Sequence, residues 1–370
     1  MRGLRKYLTP FAPDQSGAVS VLYELGGITV ICDAGGCAGN VCGFDEPRWF
    51  NSYSAVFSAG LRDMDAIMGR DKQLVAKLVD VCKKVDANFA AIVGTPVPSV
   101  IGTDYYALKR MTERSVDIPV LAINTNGMDL YDKGASKAYE ELVRTFCTEQ
   151  YLTEPGRVGV WGCNPLDMSQ LDAAELMTEA LQIEGYTKVE CYGMGTGLEA
   201  LKTASACEKN IVVAPSGFKA ARLLNELYDI PFEIRNPLVL YDLQMERIEK
   251  PLALDEYHRA QYIGKKILVC DQQVSANTIR KYLLDLGAGE VVTATWFQSL
   301  KAIDDAFDGN KTLHLKEVDD FVELDRDGNF DIIVGDPILW QMIPEFEGDT
   351  YDMEQFAVSG TLQNVGGTYL

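Results

Sequence analysis

Three cysteines in a glycine-rich loop are the strongest chemical signal in this sequence. The segment ICDAGGCAGNVCGFDEPRW (31–49) places Cys32, Cys37 and Cys42 in a C-x4-C-x4-C arrangement. Thiolates bind zinc and iron–sulfur clusters, and glycines let the backbone approach such a group closely. The spacing matches neither the paired C-x2-C of zinc sites nor the C-x2-C-x2-C run of bacterial ferredoxins. We expect the three cysteines to be metal ligands. The glycines expected to contact the bound group are Gly35, Gly36 and Gly39.

The alternative is that these cysteines are small residues that pack a tight loop, because free Cys behaves as a small hydrophobe. We interpret the cysteines outside the loop as mainly structural, because they lie in helix or strand contexts. They are Cys82, Cys147, Cys163, Cys191, Cys207 and Cys270. Of these, Cys163 lies in GCNPLD, the loop after a predicted strand.

Acidic residues near the loop are candidates for proton supply. A general acid needs an environment that raises its pKa, and we select Asp33 and Asp104 as the catalytic candidates. Asp45 and Glu46 are interpreted as solvated or capping residues, since Asp and Glu are mostly exposed.

Polar residues after a second strand are expected to contact a bound cofactor. Asn124, Asn126 and Gly127 belong to INTNG, which follows the strand VLAI; the alternative is an ordinary turn. Arg48 and Trp49 are candidates for an interface or a planar ligand's pocket, or for the core.

Other common sites find little support. The sequence contains no GxxxxGK[ST], so we expect no ATP site in this chain, and no G-x-S-x-G hydrolase elbow. GMGTGLEALK (193–202) resembles an anion-binding helix start but lacks the G-x-G-x-x-G spacing, and a plain turn is the alternative. His258 and His314 are too few for a histidine-rich metal site.

These loops belong to a repeating strand–loop–helix pattern. Apolar, β-branched runs are followed by turn residues and amphipathic helices, which predicts parallel sheets with right-handed crossovers. The predicted strands span 28–32, 89–93, 120–124, 158–161, 211–214, 266–270, 291–294 and 331–334. They are too many for one sheet. We predict an α/β chain of three Rossmann-like domains with a cleft between them, at residues 1–153, 154–250 and 251–370. The boundaries are drawn from TEPGR (153–157) and the charged stretch at 247–261.

Composition limits the partners and the compartment. The 370 residues carry a net charge of −20, which disfavours binding to nucleic acids and anionic membranes. Nine cysteines, an odd number in a long chain, argue against a secreted disulfide framework. The basic start MRGLRKYLTPFAPD has no apolar core, and no run of 18 apolar residues occurs. We therefore expect a cytoplasmic protein.

Beyond these patterns, the chain resembles the nitrogenase component 1 family. Its "HGPxGC…EP" segment resembles VICDAGGCAGNVCGFDEPRW, in which Cys37 matches the cysteine that carries a shared cluster. The remaining matching segments follow in the family's order. They are TPFAPDQSGAVSVLYEL, FSAGLRDMDAIMGRDKQLVAKL, AAIVGTPVPSVIGTDYYAL, IPVLAINTNGM, NIVVAPSGFKAARLLNELYDIPF and YIGKKILVCDQQ.

Three departures from the family pattern narrow what the resemblance implies. Cys32 replaces the usual histidine of the HGP segment, Thr95 and Pro96 replace the TC motif, and Cys42 is extra. The resemblance therefore implies an iron–sulfur cluster, a [4Fe–4S] cluster, in which Cys32 or Cys42 replaces the missing ligand. VVAPSGF (212–218) lacks the cysteine that binds the large cofactor of nitrogenase, and no histidine follows His314. We therefore predict that the protein does not reduce dinitrogen.

The resemblance also implies partners. Family members receive electrons from a separate ATP-dependent iron protein and pass them to a substrate or cofactor in the cleft. We expect a homodimer or a heterodimer with a homologous second subunit, acting on a tetrapyrrole-like or other small molecule. Two alternatives stay open: a non-catalytic scaffold for cluster or cofactor assembly, and a small-molecule-binding α/β protein whose cysteines are structural.

Overall fold

The computed structural model describes residues 7–50, 52, 54–62, 65, 71–244 and 258–362. They form three parallel β-sheets, each flanked by helices. The predicted α/β architecture of three Rossmann-like units is therefore confirmed. In the first sheet the strands Ile28–Ile31, Ala90–Val93 and Val120–Ile123 are buried along their length, as expected for a parallel sheet covered on both faces.

The first sheet has the order β2-β1-β3-β4. Its strands are β1 (Ile28–Ile31), β2 (Ala55–Ser58), β3 (Ala90–Val93) and β4 (Val120–Ile123). Its helices are α1 (Asp14–Leu22), α2 (Gly36–Asn40), α3 (Asp71–Lys84), α4 (Pro96–Val100), α5 (Tyr105–Glu113) and α6 (Tyr131–Phe146). A π-turn (Val41–Asp45) and a 3-10 turn (Pro47–Phe50) continue from α2.

The second sheet has the order β6-β5-β7-β8. Its strands are β5 (Glu154–Trp161), β6 (Lys188–Tyr192), β7 (Cys207–Val212) and β8 (Phe232–Ile234). The helices of this unit are α7 (Pro165–Met168), α8 (Ala173–Ile183), α9 (Leu198–Lys202), α10 (Phe218–Tyr228) and α11 (Pro237–Gln244).

The third sheet has the order β11-β10-β9-β12-β13. Its strands are β9 (Lys266–Cys270), β10 (Glu290–Thr295), β11 (Leu313–His314), β12 (Ile332–Gly335) and β13 (Asp349–Asp352). The helices of this unit are α12 (Gln273–Asp285), α13 (Lys301–Ala306), α14 (Val318–Gly328) and α15 (Phe356–Ser359).

Two glycines allow α1 and α6 to touch backbone to backbone. A Cβ on Gly17 would lie 1.9 Å from the carbonyl oxygen of Tyr131, and one on Gly134 would lie 1.7 Å from that of Asp14. Both distances are far inside van der Waals contact. This helix pair shares a hydrophobic cluster with Trp161 and Tyr192 of the second sheet. The first and second units are therefore packed through a common core.

The predicted strands are found, and short edge strands are added. β2, β8, β11 and β13 lie at sheet edges, where half-exposed residues give no continuous apolar run. TEPGR, from which a domain boundary was drawn, forms the start of β5 from Glu154 onward. The proposed boundary between residues 250 and 251 lies outside the described residues, as do residues 1–6 of the N-terminal stretch. Within the described part of the chain, no helix has the length and hydropathy needed to cross a bilayer.

Candidate functional site

The loops singled out in the sequence lie together at the edge of the first sheet where its strands have their carboxyl ends. Residues 33–50, called here the cysteine loop, follow β1; residues 94–104 follow β3; residues 124–130 follow β4. The three strands run parallel, so their carboxyl ends lie side by side. This edge is where open α/β sheets commonly place binding groups.

Asp33 holds the cysteine loop in place. One carboxylate oxygen accepts a hydrogen bond from the backbone N–H of Ala38 (2.7 Å), inside α2. The other accepts from the Ser58 hydroxyl (2.5 Å), at the end of β2. Asp33 is buried, and both of its oxygens serve structural bonds. The sequence predicts Asp33 as a proton donor. To act as one, its carboxyl group would have to break a hydrogen bond with Ala38 or Ser58.

Cys37 and Cys42 are half-buried and lie on consecutive turns, one in α2 and the other in the π-turn. Burial raises the pKa of the Cys37 thiol, Asp33 raises it further, and a hydrogen bond with the Thr95 side chain opposes both. Burial also raises the pKa of Cys42, and the charges of Glu46 and Asp33 add to it. Both thiols are accessible, but a cation would be needed to favour their ionised form.

Cys32 lies elsewhere. It is buried and packs in the hydrophobic cluster that contains Val30 and Ile92, whereas Cys37 packs against the cluster that contains Ile31 and Val93. Burial, followed by the charges of Asp33 and Asp71, raises the pKa of Cys32 to about 12. The structure therefore brings two of the three predicted ligands to the surface and leaves the third in the core.

The glycines of the cysteine loop face open space. A Cβ added to Gly36, Gly39 or Gly43 would meet no atom within 4 Å, and their φ angles are ordinary. Gly35 has φ +114°, a conformation that favours glycine, and also faces open space. Neither packing within this chain nor backbone conformation therefore requires glycine at positions 36, 39 and 43. They keep the surface beside Cys37 and Cys42 free of side chains.

Exposed apolar side chains lie on the same loops. Phe44 and Phe50 in the cysteine loop are 77% and 79% exposed, and Val100 after β3 is 78% exposed. Met128, after β4, is 69% exposed. Large apolar side chains exposed together on one edge are typical of a surface that binds another molecule.

Arg48 joins the end of the cysteine loop to the rest of the fold. Its guanidinium bonds both carboxylate oxygens of Glu46 (2.8 Å each) and one of Glu24 (3.0 Å). It also donates to the carbonyl of Ser20 (2.6 Å) in α1 and to that of Gly193 (2.9 Å) in the second unit. Burial acts to lower the pKa of Arg48, but Glu46 and then Glu24 raise it above its ordinary value. Arg48 is thus a permanently charged internal clamp, whereas the sequence left its role open.

The glycine-rich turn at 193–197 is occupied by this same network. Gly193 accepts from Arg48, and the N–H of Gly195 donates to the Glu24 carboxylate (2.8 Å). Both glycines have positive φ, +106° and +71°. A carboxylate of the chain itself therefore occupies the turn, which explains this motif as structural.

The residues after β4 also have structural partners. The Asn126 and Gly127 N–H groups donate to the Asp14 carboxylate (2.9 and 2.6 Å), and the Asn124 carbonyl accepts from Lys137 (2.8 Å). Gly127 has φ +68°, and its missing side chain makes room for Pro96. These contacts hold the loop at the edge.

Asp104 begins α5. Its carboxylate accepts from the N–H of Ala107 (2.9 Å), and its side chain is 60% exposed. It serves as a helix cap at the surface.

Sequence reasoning missed a set of buried acids where the second and third units meet. Asp167, Asp271 and Asp336 follow the carboxyl ends of β5, β9 and β12, and all three are buried. Burial raises the pKa of each, to about 7 for Asp167 and about 8 for Asp271. The signal in the sequence was an Asp shortly after each strand, in GCNPLD, VCDQQ and VGDP.

The described residues contain no group of three or more His, Cys, Asp or Glu side chains arranged to hold a metal ion. Cys37 and Cys42 are two thiols, fewer than the four ligands that a [4Fe–4S] cluster takes.

Comparison with known proteins identifies the family. The model of the "Nitrogenase component 1 type Oxidoreductase" family matches residues 17–242, more than half of the chain. The chain belongs to this family. A curated relative is the nitrogenase iron-molybdenum cofactor biosynthesis protein NifE of Bradyrhizobium diazoefficiens, which is 24% identical over 191 residues. That match covers 49% of this chain and 33% of NifE, so it spans about a third of the relative's length.

Two solved structures share the fold of this nitrogenase component 1 family member. "Nitrogenase Cp1 at pH 6.5" superposes with a TM-score of 0.69 at 13% identity, covering 100% of this chain and 89% of the other. "Nitrogenase Cp1 at pH 5" gives 0.67 at 14% identity, covering 96% and 85%. At this identity the likeness concerns the fold alone.

Proposed function

We propose that this chain is the cluster-bearing electron-transfer subunit of a nitrogenase-like reductase that does not fix dinitrogen. The observation that carries the proposal is the pair Cys37 and Cys42, half-buried on one short helical segment beside glycines that face open space. A cluster bound there would supply one-electron redox chemistry. The chain would supply two thiolates, the backbone N–H groups around them and a rigid mount built by Asp33 and Arg48.

Two thiolates from one chain suggest a site shared by two chains. We propose that a second copy, or a homologous subunit, adds the remaining ligands and covers the exposed Phe44, Phe50 and Val100. Cys32, with its buried thiol, is then a core residue rather than a ligand. Electrons would come from an ATP-dependent iron protein, since this sequence has no phosphate-binding loop of its own.

The proposal that dinitrogen is not the substrate is supported by the segment at the end of β7. The segment 212–218, at the end of β7, contains no cysteine; its Ser216 is buried and donates to Asp167 (2.8 Å). This segment therefore offers no thiolate to a large metal cofactor, and its Ser216 hydroxyl is engaged in an internal hydrogen bond. A small molecule of tetrapyrrole-like or other chemistry remains the proposed substrate.

The test is iron and acid-labile sulfide per chain in anaerobically purified protein, with electron paramagnetic resonance after dithionite reduction. Wild type should bind iron and give a reduced-cluster signal, and both should be lost in Cys37→Ser and in Cys42→Ser. Cys82→Ser is the matched control, because Cys82 is also half-buried but lies on α3, away from the loop. Iron-free wild type, even after reconstitution with a homologous subunit present, would leave a binding protein with structural cysteines.

A second candidate is an assembly scaffold, which the relationship to a cofactor biosynthesis protein favours. The two functions differ in turnover. With ATP and a tetrapyrrole present as the electron acceptor, a reductase should oxidise many equivalents of a reduced iron protein for each chain and reduce the tetrapyrrole in proportion, whereas a scaffold should release its iron once to an acceptor. Stopped-flow oxidation of the reduced iron protein, followed by iron analysis of this chain, separates the two.

A further inference from the structure

Two buried aspartates face a common cavity between the second and third units. Asp167 lies in α7 after β5, and Asp271 follows β9. Together with side chains that include Asn236 and Ser275, they line a cavity of about 30 Å³. That space holds about two water molecules and no larger group. The two carboxyl groups thus lie at the contact between the units, without bulk solvent between them.

The two aspartates have different hydrogen-bond partners. Asp167 accepts from three side chains: the Tyr131 hydroxyl (2.9 Å), the Ser216 hydroxyl (2.8 Å) and the Asn164 amide (2.6 Å). For Asp271, the described residues provide one hydrogen bond to the carboxyl group, from the backbone N–H of Gln272 (2.6 Å). These three donors stabilise the anionic form of Asp167 and oppose the effect of burial, whereas Asp271 has a single such donor.

Among the residues that the structure describes, the charged groups that act on Asp271 are acidic. Asp167 faces it from the second unit, Asp336 from the end of β12, and Glu354 lines the same cavity. Asp336 itself accepts two backbone N–H groups, from Ile338 and Gln355. Burial first, and then repulsion by Asp167 and Asp336, raises the pKa of Asp271 to about 8.

One further acid that acts on Asp167, Asp132, belongs to the first unit. Asp132 adds to the effect of burial on the pKa of Asp167, and Tyr131 hydrogen-bonds the same carboxylate. Asp132 accepts from the N–H of Gln298 (2.5 Å), in the third unit. The junction is therefore a place where all three units contribute acidic groups and where ionisation is disfavoured.

We propose that Asp271 is a pH-sensitive latch between the second and third units: as a neutral acid it lets the junction close, and as a carboxylate it repels Asp167 and favours opening. The latch would control how closely the second and third units pack at this cavity. It does not depend on the proposed cluster, whose ligands lie on the first unit.

The direction in which pH changes the opening of the junction follows from the number of protons that the closed and open states bind. The closed junction holds the Asp271 proton up to about pH 8, whereas an opened, solvated Asp releases it near pH 4. Between these values, opening releases one proton at Asp271, so the opening equilibrium rises about tenfold per pH unit from this group. Above about pH 8 both states are ionised and the rise ends. Asp167 adds its own proton over a slightly lower range.

Hydrogen exchange of the full chain between pH 5.5 and 9 tests this, after correction for the intrinsic pH dependence of exchange. Peptides covering 165–171 and 272–280 should lose protection as pH rises, and level off above about pH 8. In Asp271→Asn the opening equilibrium should lose the contribution of Asp271, which is about a tenfold rise per pH unit. The junction should then stay protected at pH 8. Asp117→Asn, an exposed aspartate on the first unit, makes the same charge change and should leave the slope unaltered.

Two further variants keep the result decisive. Asp167→Asn should reduce protection at every pH, because an amide N–H would face the donors Tyr131 and Ser216. Asp271→Ser replaces Asp271→Asn if the latter does not fold. Equal slopes in wild type and in the Asp271 variant, or a loss of protection that is the same at all pH values, would overturn the latch.

Discussion

The Arg48 guanidinium lies 2.9 Å from the carbonyl oxygen of Gly193, although the two residues are 145 positions apart in the chain. This hydrogen bond connects the end of the cysteine loop to the turn after β6, and the bond from the Gly195 N–H to Glu24 joins the same turn to the first unit. The loop that carries Cys37 and Cys42 is therefore fixed by the second unit as well as by its own sheet. Such support suits a site that must keep its ligands in one geometry.

Replacing Arg48 tests this clamp. Arg48→Met removes the positive charge and leaves Glu46 buried and Glu24 partly buried without their partner. We expect the free energy of unfolding to fall by about 3–5 kcal/mol, because a buried carboxylate left unpaired is costly. Denaturant unfolding of the full chain measures it. Arg144→Met, which removes an exposed pair with Glu140, is the control and should change it by less than about 1 kcal/mol. Equal effects would mean that Arg48 acts only as surface charge.

Thiol labelling tests the different positions of the cysteines. Iodoacetamide should modify Cys37, Cys42 and Cys82 in the native protein and leave the buried Cys32 and Cys270 unmodified until unfolding. Because burial raises the pKa of Cys37 and Cys42, their rates should keep increasing with pH beyond 9, the ordinary thiol value. Peptide mass spectrometry after timed quenching gives the rate at each site. Rapid native labelling of Cys32 would contradict its place in the core.

Substitutions of the open glycines in the cysteine loop should change binding to another molecule without lowering the free energy of unfolding. Gly39→Ala, within α2, should keep or slightly raise the free energy of unfolding, by up to about 1 kcal/mol, since Ala is the better helix former. Gly39→Leu should also fold, but should lower iron content and subunit association because its side chain fills the open surface. Iron analysis and analytical ultracentrifugation measure these effects. Unchanged iron and association in Gly39→Leu would mean that nothing binds there.

The close contact of α1 with α6 gives the opposite expectation for another glycine. Gly134→Ala places a methyl group against the Asp14 carbonyl, so the helices must separate. We expect a loss of at least about 1–3 kcal/mol in the free energy of unfolding, the usual range for overpacking. Gly39→Ala is again the matched control. If thermal and denaturant unfolding show the same stability for both variants, the two helices do not touch as described.

Much of the fold could be predicted from the sequence for a simple reason. Buried parallel strands are short apolar runs, and ITVI, AAIV, VLAI and KILVC were recognised to within one residue at either end. Edge strands such as β8 were missed because half-exposed residues carry no such pattern. The loops after β1, β3 and β4 lie together in the structure because these parallel strands align their carboxyl ends.

The sequence by itself determined that this is a three-unit α/β chain with a cysteine-bearing loop at a sheet edge, because residue type and local order specify both. Only the tertiary structure decided which side of the sheet each cysteine faces. Cys32 follows a strand that is buried on both faces. Because apolar and polar residues do not alternate along this strand, the sequence does not show which face of the sheet Cys32 lies on. Likewise, the clamp from Arg48 to Gly193 and the buried pair Asp167 and Asp271 join residues far apart in the chain. Their charges and pKa values depend on burial and distance, which exist only once the chain has folded.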